Sequence, residues 1–412
     1  MRKREKITFA DVVNESLFFD GKKRRDSLVL DLIDTKWFQR LRDISQTGNT
    51  RLVYMFSEHS RFGHCLEVAY LAGRLLDNLN LKFSKDVKEY ELAIMASALL
   101  HDLAHLAPGS HTAQKAWFPN ENDQHEKIAS KIILNDSEIK NILESYEKGL
   151  TNKVKSILLE DRKLPKWVWQ IISGGGWNVD RGSWCVADSV MAGVSYGKYN
   201  ITALTDSITI TSKKELALNE NRLDSMLHFA VSRHAMYKQI YQHRVLLATD
   251  KLIQKLVVRL REVDRSCFFA DQIMCNILDA KSVNNLAFSD IFAMRESWWR
   301  YHLFQWQNAK DEIVKDLAAR LINRTLLKTV YLSNKDEKNN FQKKAKEACE
   351  KLGFNPKYYL YKISSSDRFK EDAKTSLKVI KDDGSVLDLK QADSLFQSLL
   401  NEQKKFSKTW LV

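Results

Sequence analysis

The scarcity of turn-making residues is the feature that most narrows what this chain can fold into. Its 412 residues include 14 glycines and 4 prolines, about 3% and 1% where about 7% and 5% are usual. A turn-rich sandwich, a propeller or a disordered scaffold needs more of both, so the composition predicts a mostly α protein. The length allows two or three domains, or one large helical core with insertions. Hydrophobic residues make up 44% and charged residues 28%, as in globular chains, and no run of 18 or more apolar residues suggests a membrane span. The basic start, Met1 to Lys6, lacks the apolar stretch of a secretion signal, and Cys65, Cys185, Cys267, Cys275 and Cys349 form no CxxC. Reduced thiols and a cytoplasmic location are expected.

Hydrophobic periodicity sketches the organisation. Spacings of three and four along Ser60 to Leu79, and again along Val87 to Leu106, predict two helices. Further helices are expected over 124–134, 139–148, 223–262 and 311–333. Gly174-Gly175-Gly176 must be a loop. Between Tyr199 and Asn219, β-branched alternation predicts a small hairpin insertion in a core spanning residues 1–334. From 335 onward an α+β appendage is expected, with a lysine-rich helix to Gly353, a strand at Tyr358 to Tyr361, and a hairpin in which Asp382-Asp383-Gly384 joins Ser376–Ile380 to Ser385–Leu389. The balance of 65 basic against 52 acidic residues gives a net charge of +13. Such an excess suits nucleic acid, nucleotides or a merely solvated surface, and sign alone does not choose among them.

Three segments concentrate polar chemistry: Glu58 to His64, Ser97 to His105, and Val179-Asp180-Arg181. His101-Asp102 closes an apolar helix. A lone His-Asp pair is more often a helix-end hydrogen-bonding arrangement, but with His64 inward on the preceding helix and Asp180 after the glycine loop, two histidines and two aspartates could share one cation. Imidazole with carboxylate suits Fe, Mn, Mg, Zn or Ni over a thiol-seeking metal. On 223–262, Arg233, Tyr237, Tyr241 and Arg244 fall within one helical face, which fits phosphate and sugar contacts or a solvated arginine face with tyrosines at the core edge. The triple glycine is followed by no Gly-Lys-Ser/Thr and so is no Walker loop. His59 reads equally as a supporting contact or a cap, whereas His228, His234, His243 and His302 read as structural.

His64, His101-Asp102 and Asp180 in Val-Asp-Arg resemble the H…HD…D signature of the HD-domain phosphohydrolases. The flanks Asp34 to Arg42, His59 to His64, Leu71-Ala72-Gly73, and Ser232-Arg233 through Tyr241 to Arg244 narrow the likeness over roughly residues 10 to 330. They resemble the deoxynucleoside triphosphate triphosphohydrolase branch, which includes the bacterial dGTPases and the SAM-and-HD-domain enzyme of animals. The resemblance implies an HD-domain helical core in which His64, His101, Asp102 and Asp180 hold one divalent or transition metal. It further implies that Arg61, His105, His111, Arg181 and Arg233 face a triphosphate, that Gln46, Asp188 and Tyr241 sit at the sugar with Trp184 packed against the ribose, and that His111 and His125 lie close to the scissile phosphate. Catalytic roles then fall to His111, His125, Arg61 and Asp102. The reaction implied is release of inorganic triphosphate from a deoxynucleoside triphosphate by a homo-oligomer, in nucleotide-pool control or antiviral defence. An HD phosphatase or phosphodiesterase on another nucleotide, and a nucleotide- or nucleic-acid-binding regulator with weakened hydrolysis, are the alternatives. The chain departs from the pattern at Gln114, where an acid is usual, and also at Thr47, Met55 to Glu58 and Ala187; either His125 or Glu126 compensates for Gln114, or catalysis is slow, or the substrate differs.

Overall fold

The computed structural model describes residues 5–332, 335–365, 377–402 and 408–412; Met1 to Arg4 and Ser376 lie outside them. The protein is mostly α, and none of the described helices is long and apolar enough to cross a membrane. Its centre is Arg61–Leu100. Phe83 leaves helical dihedrals (φ −127°, ψ 38°), and the chain doubles back there into the two helices that the periodicity predicts. Arg25 bridges both limbs, with one nitrogen 2.6 Å from Asp77 and another 3.0 Å from Glu91. Leu71, Leu75, Leu79, Met95 and Leu99 are all buried between the limbs and their neighbours. Helices Arg24–Ile33, Leu150–Leu158 and Val179–Met191 pack around this pair. The second limb ends at Leu100, earlier than the sequence suggests, because His101 Nδ1 turns back onto the Ala98 carbonyl at 2.9 Å and a chain of tight turns follows.

The β-branched stretch behaves differently from expectation. Ile201–Ser207 is a helix capped by Asn200, whose side chain accepts from the Ala203 amide. Ile201, Leu204 and Ile208 are spaced by three and four, and all three are buried; that spacing, not the β-branching, decides the local structure. The hairpin is confined to Ile208–Ile210 and Leu216–Asn219. Leu216–Asn219 pairs in parallel with Lys378–Ile380, Leu218 opposite Val379, and the Asp-Gly hairpin completes a four-stranded sheet with Val386–Asp388. Gly384 takes φ +81° in that turn. A second sheet joins Val330–Tyr331 and Lys362–Ser364 to Thr409–Leu411. Tyr358 and Tyr359 belong to a short helix, Pro356–Tyr359, because Asn355 caps it and a proline opens it; the expected strand begins only at Lys362.

Candidate functional site

Arg61 and His64 occupy the first turn of the long hairpin of helices, and the entering strand is fixed by an Arg61 amide donating to Ile44 (2.9 Å) and a Gln46 amide donating to His59 (3.0 Å). His101 and Asp102 sit just beyond the other end of the same hairpin, which brings the His64 and His101 rings to 5.4 Å between centroids. Asp180 arrives from Val179–Met191. Asn178 caps that helix by accepting from the Arg181 amide (2.7 Å), while its own amide and the Arg181 guanidinium both donate to the Gly174 carbonyl. The glycines explain themselves here: a Cβ on Gly174 would meet Gln170 backbone at 2.7 Å, and Gly176 has φ +82°.

Around the resulting pocket, His64 Nε2 lies 3.0 Å from Asp180 Oδ1 and 3.6 Å from Asp102 Oδ2. His101 Nε2 lies 3.4 Å from Asp102 Oδ1 and 3.5 Å from Asp180 Oδ1, yet it is buried with no hydrogen-bond partner. His64, His101 and Asp180 bring their donor atoms within 4.8 Å of one another with the Asp102 carboxylate beside them, and such a set requires a cation or protons between its members. The orphaned nitrogen and the mixed N/O donor set both fit a divalent ion. Burial opposes ionisation of Asp102, but Arg61, paired directly with it, together with His101 and His105 holds the carboxyl well below the usual carboxylate range. Asp180 is likewise held low against burial by His101 and His64. Cys65 sits beside His101 and Asp102, but burial pushes its thiol up, away from the thiolate form that a metal requires.

Asp102 also opens onto a wall of imidazoles. Its Oδ1 is 3.1 Å from His105 Nε2 and 3.8 Å from His125 Nε2. His105 stacks on His125 at 4.0 Å with 26° between the planes, and His111 meets His105 edge-on at 4.7 Å. Asp123, which no motif in the sequence singles out, organises this wall: its Oδ2 lies 3.1 Å from His125 Nδ1 and 3.4 Å from His111 Nδ1. Gln114 points elsewhere, its side chain accepting from the Gln124 amide (2.8 Å) and donating to Glu121 (3.0 Å). The carboxylate support that Gln114 cannot give thus comes from Asp123. Glu126 is nearer to His125 than expected of a bystander, 3.4 Å from Nε2, but it makes no comparable contact with His111. His105, His111, Asp123 and His125 bring their donor atoms within 4.8 Å. The stacked rings nevertheless carry their in-plane lone pairs side by side, so hydrogen bonding to an oxyanion suits them better than shared ligation of an ion. Desolvation and the Arg61 charge lower His105 and the half-exposed His111, whereas Asp123 and Glu126 overcome burial and push His125 up to about 9.

The third part of the site is two helical turns along Val179–Met191. Asp188, 3% exposed, lies 2.8 Å from His59 Nε2 and accepts from the Tyr241 hydroxyl at 2.5 Å. Trp184 packs edge-on against Tyr237 and Tyr241, and the Arg233 guanidinium lies 5.1 Å from the Tyr237 ring centroid. The predicted single helix is in fact Leu223–Met236, a π-helical turn Tyr237–Tyr241, and Arg244–Glu262 capped by His243. Arg233 and Tyr241 still reach one wall, and Arg244 begins a separate helix. Gln46 Oε1 is buried beside this region without a hydrogen-bond partner. The Arg181 guanidinium donates to the Gly174 carbonyl at 2.7 Å.

Residues 61–165 match the HD domain. The uncharacterised protein YwfO of Bacillus subtilis is 29% identical over 92% of this chain and 87% of its own length. The SAMHD1 homologue of Dictyostelium discoideum, named a deoxynucleoside triphosphate triphosphohydrolase, is 27% identical over 60% of this chain, which spans 48% of that protein. The bovine enzyme of that name is 24% identical over 55% of this chain and 44% of its own. A solved phosphohydrolase from Bacteroides thetaiotaomicron shares the fold end to end, with a TM-score of 0.81 at 21% identity over 99% of both chains. The chain therefore carries an HD domain over residues 61–165 and, over 60% of its length or less, is similar to proteins named deoxynucleoside triphosphate triphosphohydrolases.

Proposed function

We propose that the protein hydrolyses deoxynucleoside triphosphates to the deoxynucleoside and inorganic triphosphate. The observation that carries this reading is the spacing on one helix. Asp180 faces the two histidines, and Asp188, with its Tyr241 and His59 partners, lies eight residues further on, about 12 Å along the axis. A ligand that ends in phosphates at one point and a hydroxyl-bearing sugar at the other spans that distance. His64, His101, Asp102 and Asp180 would hold the cation, which when bound supplies Lewis acidity and lowers the pKa of a water. Arg61 and Arg233 supply fixed positive charge toward the phosphates, joined by His105 as a neutral donor. Asp188 accepts from a sugar hydroxyl, and Trp184 closes the ribose face. In the reaction a bond forms from water oxygen to the α-phosphorus, the bond to the 5′-oxygen breaks, and that oxygen takes a proton. His125, with Nδ1 on Asp123 and Nε2 turned toward Asp102, is placed to deliver it, and His111 shares the same carboxylate at the mouth. Nucleotide-pool control is the role such a reaction would serve.

The test is incubation of the purified chain with each of the four dNTPs and four NTPs, with and without Mn²⁺ or Mg²⁺, and separation of the products. Deoxynucleoside with triphosphate is the expected outcome; monophosphate or diphosphate overturns it. Asp102→Ala should lose metal and turnover together.

A further inference from the structure

We propose that His59 is a positioning residue: it fixes the plane of the Asp188 carboxylate and so makes the pocket demand the sugar's 3′-hydroxyl, a role that rests on the reading of Asp188 as the acceptor for a sugar hydroxyl. Asp188 stands on Val179–Met191, Tyr241 closes the π-helical turn Tyr237–Tyr241, and His59 lies on the segment that enters Arg61–Leu100. His59 Nε2 is 2.8 Å from Asp188 Oδ1, and the Tyr241 hydroxyl donates to Oδ2 at 2.5 Å. A carboxylate can only accept, so the hydrogen in the first contact belongs to Nε2. Held by one donor, a carboxylate still swings about that bond. Donors on both oxygens hold its plane, and the lone pairs left over keep one direction for a ligand hydroxyl to meet. In a deoxynucleotide the sugar offers one free hydroxyl, at the 3′ carbon.

The backbone holds the ring in place. The His59 carbonyl accepts from the Gln46 amide at 3.0 Å, Ser45 pairs with Ser60 across a short antiparallel bridge, and the Arg61 amide donates to the Ile44 carbonyl at 2.9 Å. One register therefore sets both Gln46, whose Oε1 is buried and unpartnered, and the support of Asp188. Ser60, not His59, takes the N-cap position of the helix that follows. Nδ1 of the ring is buried without a hydrogen-bond partner among the described residues, a state that carries a cost. An apolar ring of similar size would fill the space without that cost, so the imidazole is there for its Nε2. A buried carboxylate also needs donors for stability, and two substrates separate that need from sugar reading, because lost stability bears on both alike.

The test uses the full-length protein with Mn²⁺ or Mg²⁺, whichever supports turnover, and compares kcat/KM for a deoxynucleoside triphosphate with that for its 2′,3′-dideoxy counterpart; thermal melting is recorded alongside. A site built to bond a hydroxyl rejects the analogue that lacks it, so the wild type should prefer the deoxynucleotide by about 100-fold or more. His59→Phe keeps a ring and removes the donor, and the preference should fall about 10- to 100-fold, as for loss of a hydrogen bond to a charged group. His59→Gln, which returns an N–H near the Nε2 position, should bring the preference back to within about threefold of the wild type. Adding His59→Phe to Asp188→Asn should lower the preference no further than Asp188→Asn alone, since both act through one contact. His59→Leu replaces His59→Phe if the latter gives no cooperative melt. Equal losses on both substrates, an unchanged preference in the folded apolar variant, no rescue by His59→Gln, or losses that add in the double variant overturn the role of His59. A wild type that turns over both substrates alike overturns Asp188 as the sugar reader, and one that releases no triphosphate from any deoxynucleotide overturns the proposed activity; either result takes the role of His59 with it.

Discussion

Glu296 offers a sharp test of how the fold is balanced around the His111 loop. It opens the helix Glu296–Trp306, is 6% exposed, and its Oε1 is buried without a hydrogen-bond partner among the described residues. Burial raises its carboxyl from 4.5 to about 7, reinforced by Asp43 and Glu58 against the pull of Arg51 and the Gly109 amide. In the unfolded chain the proton leaves near the ordinary value, whereas the folded chain keeps it until about neutrality. Between those points the folded state binds more protons, so stability falls as pH rises and the full penalty is in place above the folded value. At about 1.4 kcal/mol per tenfold change in proton affinity, the loss is about 3 kcal/mol, a large share of the 5–15 kcal/mol that holds a typical domain, in round terms about a third. Glu296→Gln keeps the shape of the side chain and removes the ionisation. Urea unfolding of both proteins at constant ionic strength should show the variant gaining about 3 kcal/mol on the wild type between about pH 4.5 and 8. Stability curves that stay parallel across that window would refute the reasoning.

The remaining predictions concern the site and its frame. Asp123→Asn should lower kcat by about 10² to 10⁴ by releasing His111 and His125, while Gln114→Ala should change kcat by no more than about threefold and act on stability instead; steady-state kinetics on the preferred dNTP separates the two, and equal losses would return Gln114 to the machinery. Tyr241→Phe removes the hydroxyl that donates to Asp188 and should raise KM about tenfold with kcat little changed, as expected for a hydrogen bond to a charged group. Arg40 is buried and donates to the carbonyls of Phe292, Leu103, His105, Ile291 and Met294. Five charge-assisted bonds at about 1.5 kcal/mol or more each rival the whole stability of a domain, so Arg40→Met should yield no cooperative melt by circular dichroism; a melt within a few degrees of the wild type contradicts that accounting.

The parts of the fold that could be read from the chain were those fixed by local spacing. Leu71, Leu75 and Leu79 mark a helix wherever they occur, and the break before Val87 marks its end; the reversal at Phe83 follows from that break. Asp382-Asp383-Gly384 likewise specifies its own turn. What could not be read depends on distant partners. Nothing between Leu216 and Asn219 signals that Lys378–Ile380 will pair with it in parallel, and the Tyr237–Tyr241 π turn is invisible to a helical-period argument. Asp123 shows the same division within one residue. Its Oδ1 accepts from the His125 amide at 3.2 Å, an ordinary helix-start contact that any Asp-x-His could make, while its Oδ2 reaches His111 only because the chain folds back there.

The charge of the chain takes on a different meaning once the site is assembled. The net charge of +13 invites the view that the pocket itself is the basic surface, yet the groups gathered around it include Asp102, Asp123, Asp180 and Asp188 against the cations Arg61 and Arg233 and the imidazolium of His125. The carboxylates whose ionisation is perturbed, Asp102, Asp123 and Asp180, are all held on the charged side. A triphosphate carries about four negative charges and would be repelled by such a set if the acids stood alone; a divalent ion among them reverses the local sign. The acidity of the pocket therefore argues for a resident cation more strongly than the basicity of the chain argues for a polyanion, and it places most of the lysine excess outside the chemistry.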